Sequence, residues 1–410
     1  MKLLPPRTAV AVFLAFAFAY FFSALLRAIT ATLSPTLTQE FALHSRDLGL
    51  LAGGYFLGFA AIQLPLGAWL DRHGPKRVIL GFLGIAVLAC IAFSLATSFS
   101  TLLAARVLGG VGVSACLMAP LTGYRRWLDP TAQLRANSWM LMTGSFGMMA
   151  STLPVQWLMP VVGWRPLFWG LAAFIALSML VIAWLVPAWQ PEPAPDSERP
   201  GSYAQVWRDP YFRRMVPIGF FSYGGMIAVQ TLWAGPWLVR VAGYPPLQAA
   251  GGLFIINISM LGAFLGWGTL NPQLARRGLT TDRLIARGLP LSLVVLAAIV
   301  VAGSAAGAWA WAAFCVSSTF VSLAQPAVAM AFPPALAGRA LSAYNLVIFG
   351  GVFVVQWGIG LLIDGFGAAG LDTVDALRAA MAVFLACSAA SYGYFMLANR
   401  DNQRTATSYP

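Results

Sequence analysis

Apolar runs of about twenty residues recur along this chain, separated by short polar turns. That rhythm constrains the fold more than any other feature. A bilayer's hydrocarbon core is about 30 Å thick, and a helix rising 1.5 Å per residue needs roughly 20 apolar residues to cross it. Twelve such runs lie near 9–33, 47–70, 77–97, 101–127, 136–160, 165–187, 214–241, 247–271, 284–304, 308–332, 338–365 and 374–398. The chain is 59% hydrophobic and only 9% charged, whereas a soluble domain carries about 25% charged residues. Lipid, not water, is its solvent. The expected fold is all-α and membrane-embedded.

The basic pI of about 10.1 would ordinarily raise nucleic acid as a partner, but the placement of the charge argues otherwise. Of the 25 Lys and Arg, 19 fall in the N-terminus, the C-terminus and the loops that follow even-numbered spans, while Arg46, Arg165, Arg240 and Arg378 fall on the other side. The positive-inside rule then puts both termini in the cytoplasm of a multi-pass protein of the bacterial inner membrane. The lipid bilayer is the expected partner, nucleic acid is not, and a monomer is expected. The short basic stretch Met1–Arg7 is followed by no small-residue cleavage site, so the first run reads as a retained helix. Cys90, Cys116, Cys315 and Cys387 all sit within apolar runs and read as small hydrophobes.

The chain divides in two. Residues 190–212 include Gln190–Gly201, the one long polar, proline-rich stretch, and read as a cytoplasmic linker between a half at 1–189 and a half at 213–399, with a tail at 400–410. Short repeats relate the halves. Ala52-Gly53-Gly54-Tyr55-Phe56 returns as Ala250-Gly251-Gly252-Leu253-Phe254, Phe21-Phe22-Ser23 as Phe220-Phe221-Ser222, and Val155-Gln156-Trp157 as Val355-Gln356-Trp357, at offsets between 198 and 200. Similar offsets point to duplication, the basis of many carriers.

Polar residues are unequally shared among the spans. Arg27 lies in the first, on a helical face with Tyr20, Ser23, Thr30 and Ser34, and Arg106 lies in the fourth. At the bilayer centre an arginine costs roughly 2.5–3.5 kcal/mol on insertion scales. All 13 Asp and Glu fall in loops or at helix ends, so these two cations have no acidic partner within the spans. Both sit in the outer half at similar depth, which puts them within reach of one anionic ligand, and a guanidinium suits a planar anion. Each has an alternative: for Arg106 a structural tie to backbone carbonyls, for Arg27 snorkelling to the periplasmic interface. Tyr20, Gln63, Gln230, Asn257, Gln325 and Asn345 are candidates for neutral hydrogen bonds to the ligand, or for bonds between helices. Trp233, Trp237 and Tyr344 are further lining candidates. No catalytic group, metal ligand set or cofactor site is expected. The lack of a titrating side chain within the spans favours exchange, facilitated diffusion or a proton carried on the substrate over an acid relay.

The turn after the second span, Gly67-Ala68-Trp69-Leu70-Asp71-Arg72-His73-Gly74-Pro75-Lys76-Arg77, resembles the major facilitator superfamily's loop motif, G-x-x-x-D-R-x-G-R-K/R-x, missing only the residue after the second glycine. Arg106-Val107-Leu108-Gly109-Gly110-Val111-Gly112 is similar to that family's R-x-x-x-G-x-G pattern. The resemblance implies two pseudo-symmetric six-helix bundles that work by alternating access. It also implies a cytoplasmic conformational latch at Gly67, Asp71, Arg72 and Arg77, with Gly67 allowing close helix packing. In the next half, the corresponding turn with Asn271, Arg276 and Arg277 lacks the acid. The exporter motif G-P-x-x-G-G is absent from the fifth span. Eight residues before Pro35, where several exporters carry aspartate, stands Arg27. These departures imply a transporter of a small anionic or zwitterionic organic solute, with a nitrate or nitrite carrier or a multidrug or metabolite exporter as alternatives.

Overall fold

A computed structural model describes residues 3–188, 202–277 and 279–407. The described residues are almost entirely helical. Within the linker expected at 190–212, residues 190–201 lie outside the described set, and 202–212 hold a short helix, Tyr203–Arg208, and the start of the next rod.

The rods are labelled here in chain order. In the first half they are α1 (Pro6–Phe41), α2 (45–73), α3 (75–94), α4 (Phe99–Trp127), α5 (130–162) and α6 (Trp164–Leu185). In the second half they are α7 (Pro210–Arg240), α8 (Pro246–Arg276), α9 (Thr281–Ala302), α10 (Ala308–Met330), α11 (Pro334–Ala368) and α12 (Thr373–Thr407). Among the described residues ten helices are long and apolar enough to cross a membrane; Ser45–Ser94 counts once and α5 falls outside. The first of these runs unbroken except at Gly74, whose φ of 77° turns the chain between α2 and α3, a conformation glycine adopts without the Cβ penalty. Stretch α5 is two helices, Pro130–Ala150 and Leu153–Val162.

Helix ends follow from local chemistry. Pro6 occupies the first turn of α1, and Ala42 at φ 49° closes it, donating its N–H to the Thr38 carbonyl. Ser98 and Thr101 form a capping box at the start of α4. Asp209 caps α7 by accepting from the Phe212 amide at 2.9 Å. Helix α7 widens into π-helix at Ile218–Tyr223 and again at Val229–Trp233.

The chain forms two compact units, Met1–Leu43 with Leu50–Asp196, and His44–Gly49 with Ser197–Pro410. In the first unit α1 packs on α5 and α6. Helices α2 and α4 meet backbone to backbone: a Cβ on Gly58 would strike the Val107 carbonyl, and one on Gly110 would strike that of Tyr55. Small residues drive such contacts in lipid, where association relies on packing rather than on the hydrophobic effect. Gly67, expected to serve this purpose, does not: nothing lies within 4 Å of where its Cβ would stand. Its turn has left the seam, and the close approach occurs nearer the helix centres.

In the second unit a core of Phe212, Met215, Tyr344 and Phe395 holds α7, α11 and α12 together. His44–Gly49, the first turn of α2, belongs to this unit, and its Ser45 and Arg46 amides donate to the Asp364 carboxylate at 3.1 and 3.0 Å. An acid at a helix N-terminus meets both unpaired amides and the positive end of the dipole. The outward surface is apolar, with Trp184, Val301 and Trp309 more than two-thirds exposed, as a lipid-facing surface requires.

Candidate functional site

Arg27 lies near the middle of α1. Its polar neighbours are the hydroxyls of Tyr20, two turns back on the same helix, and Tyr55 of α2. The guanidinium carbon stands 5.8 Å from the centre of the Phe59 ring. Arg27 keeps part of its surface exposed, while its Nε is buried with no hydrogen-bond partner. Tyr20 is buried, and its ring lies where a Cβ on Gly144 of α5 would stand. The Tyr55 hydroxyl donates to the Ser23 carbonyl at 3.2 Å. Tyrosine rings and hydroxyls thus surround the cation without neutralising it.

Arg106 of α4 is only 3% exposed. Its Nη1 donates to the Leu26 carbonyl at 2.9 Å, and its guanidinium carbon sits 5.0 Å from the Tyr55 ring centre. The tie to a backbone carbonyl, one of two readings the sequence left open, is present. Tyr55 is the side chain common to the two arginines, touching Arg27 and underlying Arg106.

The amides are largely engaged with protein. Gln63 donates to the Phe59 carbonyl at 3.3 Å. In the second unit Gln230 donates to Asn257 at 3.0 Å, and Asn257 donates to the Leu253 carbonyl. Gln325 donates to Asn345. These bonds join α7 to α8 and α10 to α11. Trp233 and Trp237 donate to the carbonyls of Gln356 and Ala306, both at 3.0 Å, and Tyr344 donates to that of Met215. All three rings are fully buried, so they pack rather than line an opening.

At the turn between α2 and α3, Asp71 faces Arg125 and Arg126 at the end of α4. Partial burial pushes its carboxyl above the ordinary value, and the two cations pull it back. Arg72 and Arg77 are exposed.

One group escaped sequence reasoning. Arg214 of α7, 3% exposed, pairs with Asp282 of α9 at 2.6 Å and donates through Nε to the Phe395 carbonyl at 3.1 Å. Tyr211 donates to the other Asp282 oxygen at 3.0 Å. Both charges sit at helix ends amid basic loops, where they look solvated, and no local signal in the sequence sets them apart.

The family model described as Major Facilitator Superfamily matches residues 16–356. Among curated relatives, a probable sulfoacetate transporter, SauU, of Cupriavidus necator is 26% identical over 66% of this chain and 66% of its own length. The 3-(3-hydroxy-phenyl)propionate transporter of Escherichia coli K12 is 26% identical over 64% of each chain. The multidrug resistance protein MdtL of Escherichia coli is 25% identical over 46% of this chain and 48% of its own. The matches therefore span just under two thirds of the first two relatives. Among solved structures, a bacterial homologue of the human lysosomal transporter Spinster, inward-facing and unoccupied, superposes with a TM-score of 0.77 at 17% identity, covering 97% of this chain and 98% of that one. A D-xylose-proton symporter superposes at 0.75 and 13% identity over 94% and 97%. At such identities the likeness is one of fold. With a family model spanning most of its length, this multi-pass membrane chain belongs to the major facilitator superfamily.

Proposed function

We propose that this protein carries a small anionic or zwitterionic organic solute, a carboxylate or sulfonate, across the bacterial inner membrane by alternating access. Arg27 holds the anionic end and Tyr20 donates a neutral hydrogen bond beside it. One observation carries this reading: a buried guanidinium near the middle of α1, on a residue that keeps part of its surface exposed, whose neighbours are tyrosines and Phe59. A cation so placed is stabilised by an anion and repels a cationic solute. The solutes in the names of two relatives, sulfoacetate and 3-(3-hydroxy-phenyl)propionate, are both organic anions, which supports the same chemistry. Arg106 stands behind Tyr55 and steadies that residue, while Gln230, Asn257, Gln325 and Asn345 act mainly by tying helices together and Gln63 bonds back to a carbonyl of its own helix. Asp71 latches the cytoplasmic ends through Arg125 and Arg126, with Arg72 and Arg77 adding charge. The protein works as a monomer with both termini cytoplasmic.

The test is uptake of radiolabelled sulfoacetate and 3-phenylpropionate into proteoliposomes. Wild type takes up at least one of them saturably, and Arg27→Gln loses roughly 10–100-fold, the value of a hydrogen bond to a charged group. Equal uptake by Arg27→Gln overturns the assignment. A second reading, export of uncharged or cationic drugs, draws on the partial likeness to MdtL; flux of such drugs that is indifferent to Arg27→Gln would favour it.

A further inference from the structure

Two carbonyls of α1, those of Ser23 and Leu26, each receive a side-chain donor from a neighbouring helix of the first unit. Tyr55 of α2 donates its hydroxyl proton to the Ser23 carbonyl at 3.2 Å, and Arg106 of α4 donates from Nη1 to the Leu26 carbonyl at 2.9 Å. In an α-helix each carbonyl also accepts from the amide four residues on, so the Ser23 carbonyl is the one that serves the Arg27 amide within α1. Tyr55 therefore grips the peptide group on which the Arg27 backbone rests. Its hydroxyl also lies against the Arg27 guanidinium, and its ring centre is 5.0 Å from the Arg106 guanidinium carbon. Tyr55 is fully buried. Its backbone is pressed by α4, since a Cβ on Gly110 would strike its carbonyl. A side chain clamped at ring, hydroxyl and backbone keeps one posture.

The chemistry of the three groups fixes where the phenol proton points. A carbonyl only accepts and a guanidinium only donates. The proton therefore faces Ser23, and the oxygen's lone pairs face Arg27. Having one proton and having given it to Ser23, the Tyr55 hydroxyl has none left for an anionic ligand. We propose that Tyr55 is a positioning residue for anion binding: its hydroxyl, oriented by the Ser23 carbonyl, holds the Arg27 guanidinium in the rotamer that meets the ligand, without touching the ligand itself. This rests on the reading of Arg27 as the anion-binding group. An acceptor does not bond another acceptor, so the anion meets Arg27 away from Tyr55, and the donating role beside it falls to Tyr20. Ordering of this kind strengthens binding by removing the cost of fixing the guanidinium when the ligand arrives.

The test is a double-mutant cycle on uptake of radiolabelled sulfoacetate and 3-phenylpropionate into proteoliposomes of the full-length protein. It uses Tyr55→Phe, Arg27→Met and the two combined. Tyr55→Phe keeps the ring beside Arg106 and is expected to raise KM roughly 3–10-fold, the worth of one hydrogen bond, with kcat within about twofold of wild type. In the Arg27→Met background the same change has no further effect on kcat/KM, because the group it positions is gone. Where Arg27→Met has no measurable uptake, the KM-against-kcat split decides alone. The inference is overturned if Tyr55→Phe leaves KM unchanged, lowers kcat alone, acts by the same factor with and without Arg27, or does not fold. In each of those cases a loss in Arg27→Met still stands as support for Arg27. If Arg27→Met transports as well as wild type, the reading of Arg27 falls, and a raised KM in Tyr55→Phe would make Tyr55 a ligand contact instead.

Discussion

Arg106 and Arg214 are buried to the same extent, 3% exposed each. Each donates to a helix carbonyl, Leu26 or Phe395. Each lies over an aromatic ring, 5.0 Å from Tyr55 and 4.1 Å from Phe395. They differ in one respect: Arg214 has Asp282 at 2.6 Å, whereas the residues lining the small cavity beside Arg106 include no acid. The second unit neutralises its buried cation with a carboxylate of its own, while among the described residues of the first the neighbours of Arg27 and Arg106 are tyrosines, Phe59 and a backbone carbonyl.

The comparison can be broken most forcefully at the pair. Asp282→Asn strands the Arg214 charge and is expected to cost about 3–5 kcal/mol, toward the lower end because Asp282 retains 28% side-chain exposure. Fluorescence-detected size exclusion after heating will show the loss, and Arg214→Met in the same chain should recover much of it. If the double variant is no better than the single, the pair does not act as a unit. Next comes Arg27→Gln, expected to lower anion uptake by roughly 10–100-fold with little change in thermal unfolding; a fall in stability as large as that of Asp282→Asn would make Arg27 structural instead. Arg106→Met is expected to be neutral or stabilising by about 1 kcal/mol, since a buried charge without an acidic partner is often worse than an apolar side chain; a strong loss there would put Arg106 in the same class as Arg214. The smallest effect belongs to an uncharged pair. Gln230→Leu should cost about 0.6 kcal/mol, typical of hydrogen bonds between membrane helices, and leave uptake unchanged.

Much of the architecture was legible from apolar runs, because lipid demands continuous helices of one length. The chemistry of the interior was only partly so. Spacing and depth located Arg27 and Arg106 along their helices, but depth does not give azimuth, and the packing of α4 on α2 turns Arg106 toward Leu26 and Tyr55. The amides announced themselves as polar residues in apolar spans; that Gln230 would choose Asn257, and Gln325 Asn345, depends on which helices become neighbours. Arg214 and Asp282 lie 68 residues apart, and nothing local hints that they meet. Gly67 and Gly58 look alike in sequence, yet only Gly58 faces another backbone.

The two wide turns of α7 carry a consequence for the duplication. At the offset of 199 that aligns Phe21-Phe22-Ser23 with Phe220-Phe221-Ser222, the counterpart of Arg27 is Met226. Each π turn takes in an extra residue, which rotates everything downstream by about 100° relative to an unbroken α-helix. Copying the first helix's charged stripe into the second would therefore aim it elsewhere. The short repeats persist in letters, while the π turns of α7, which α1 lacks, change the facing of the residues beyond them.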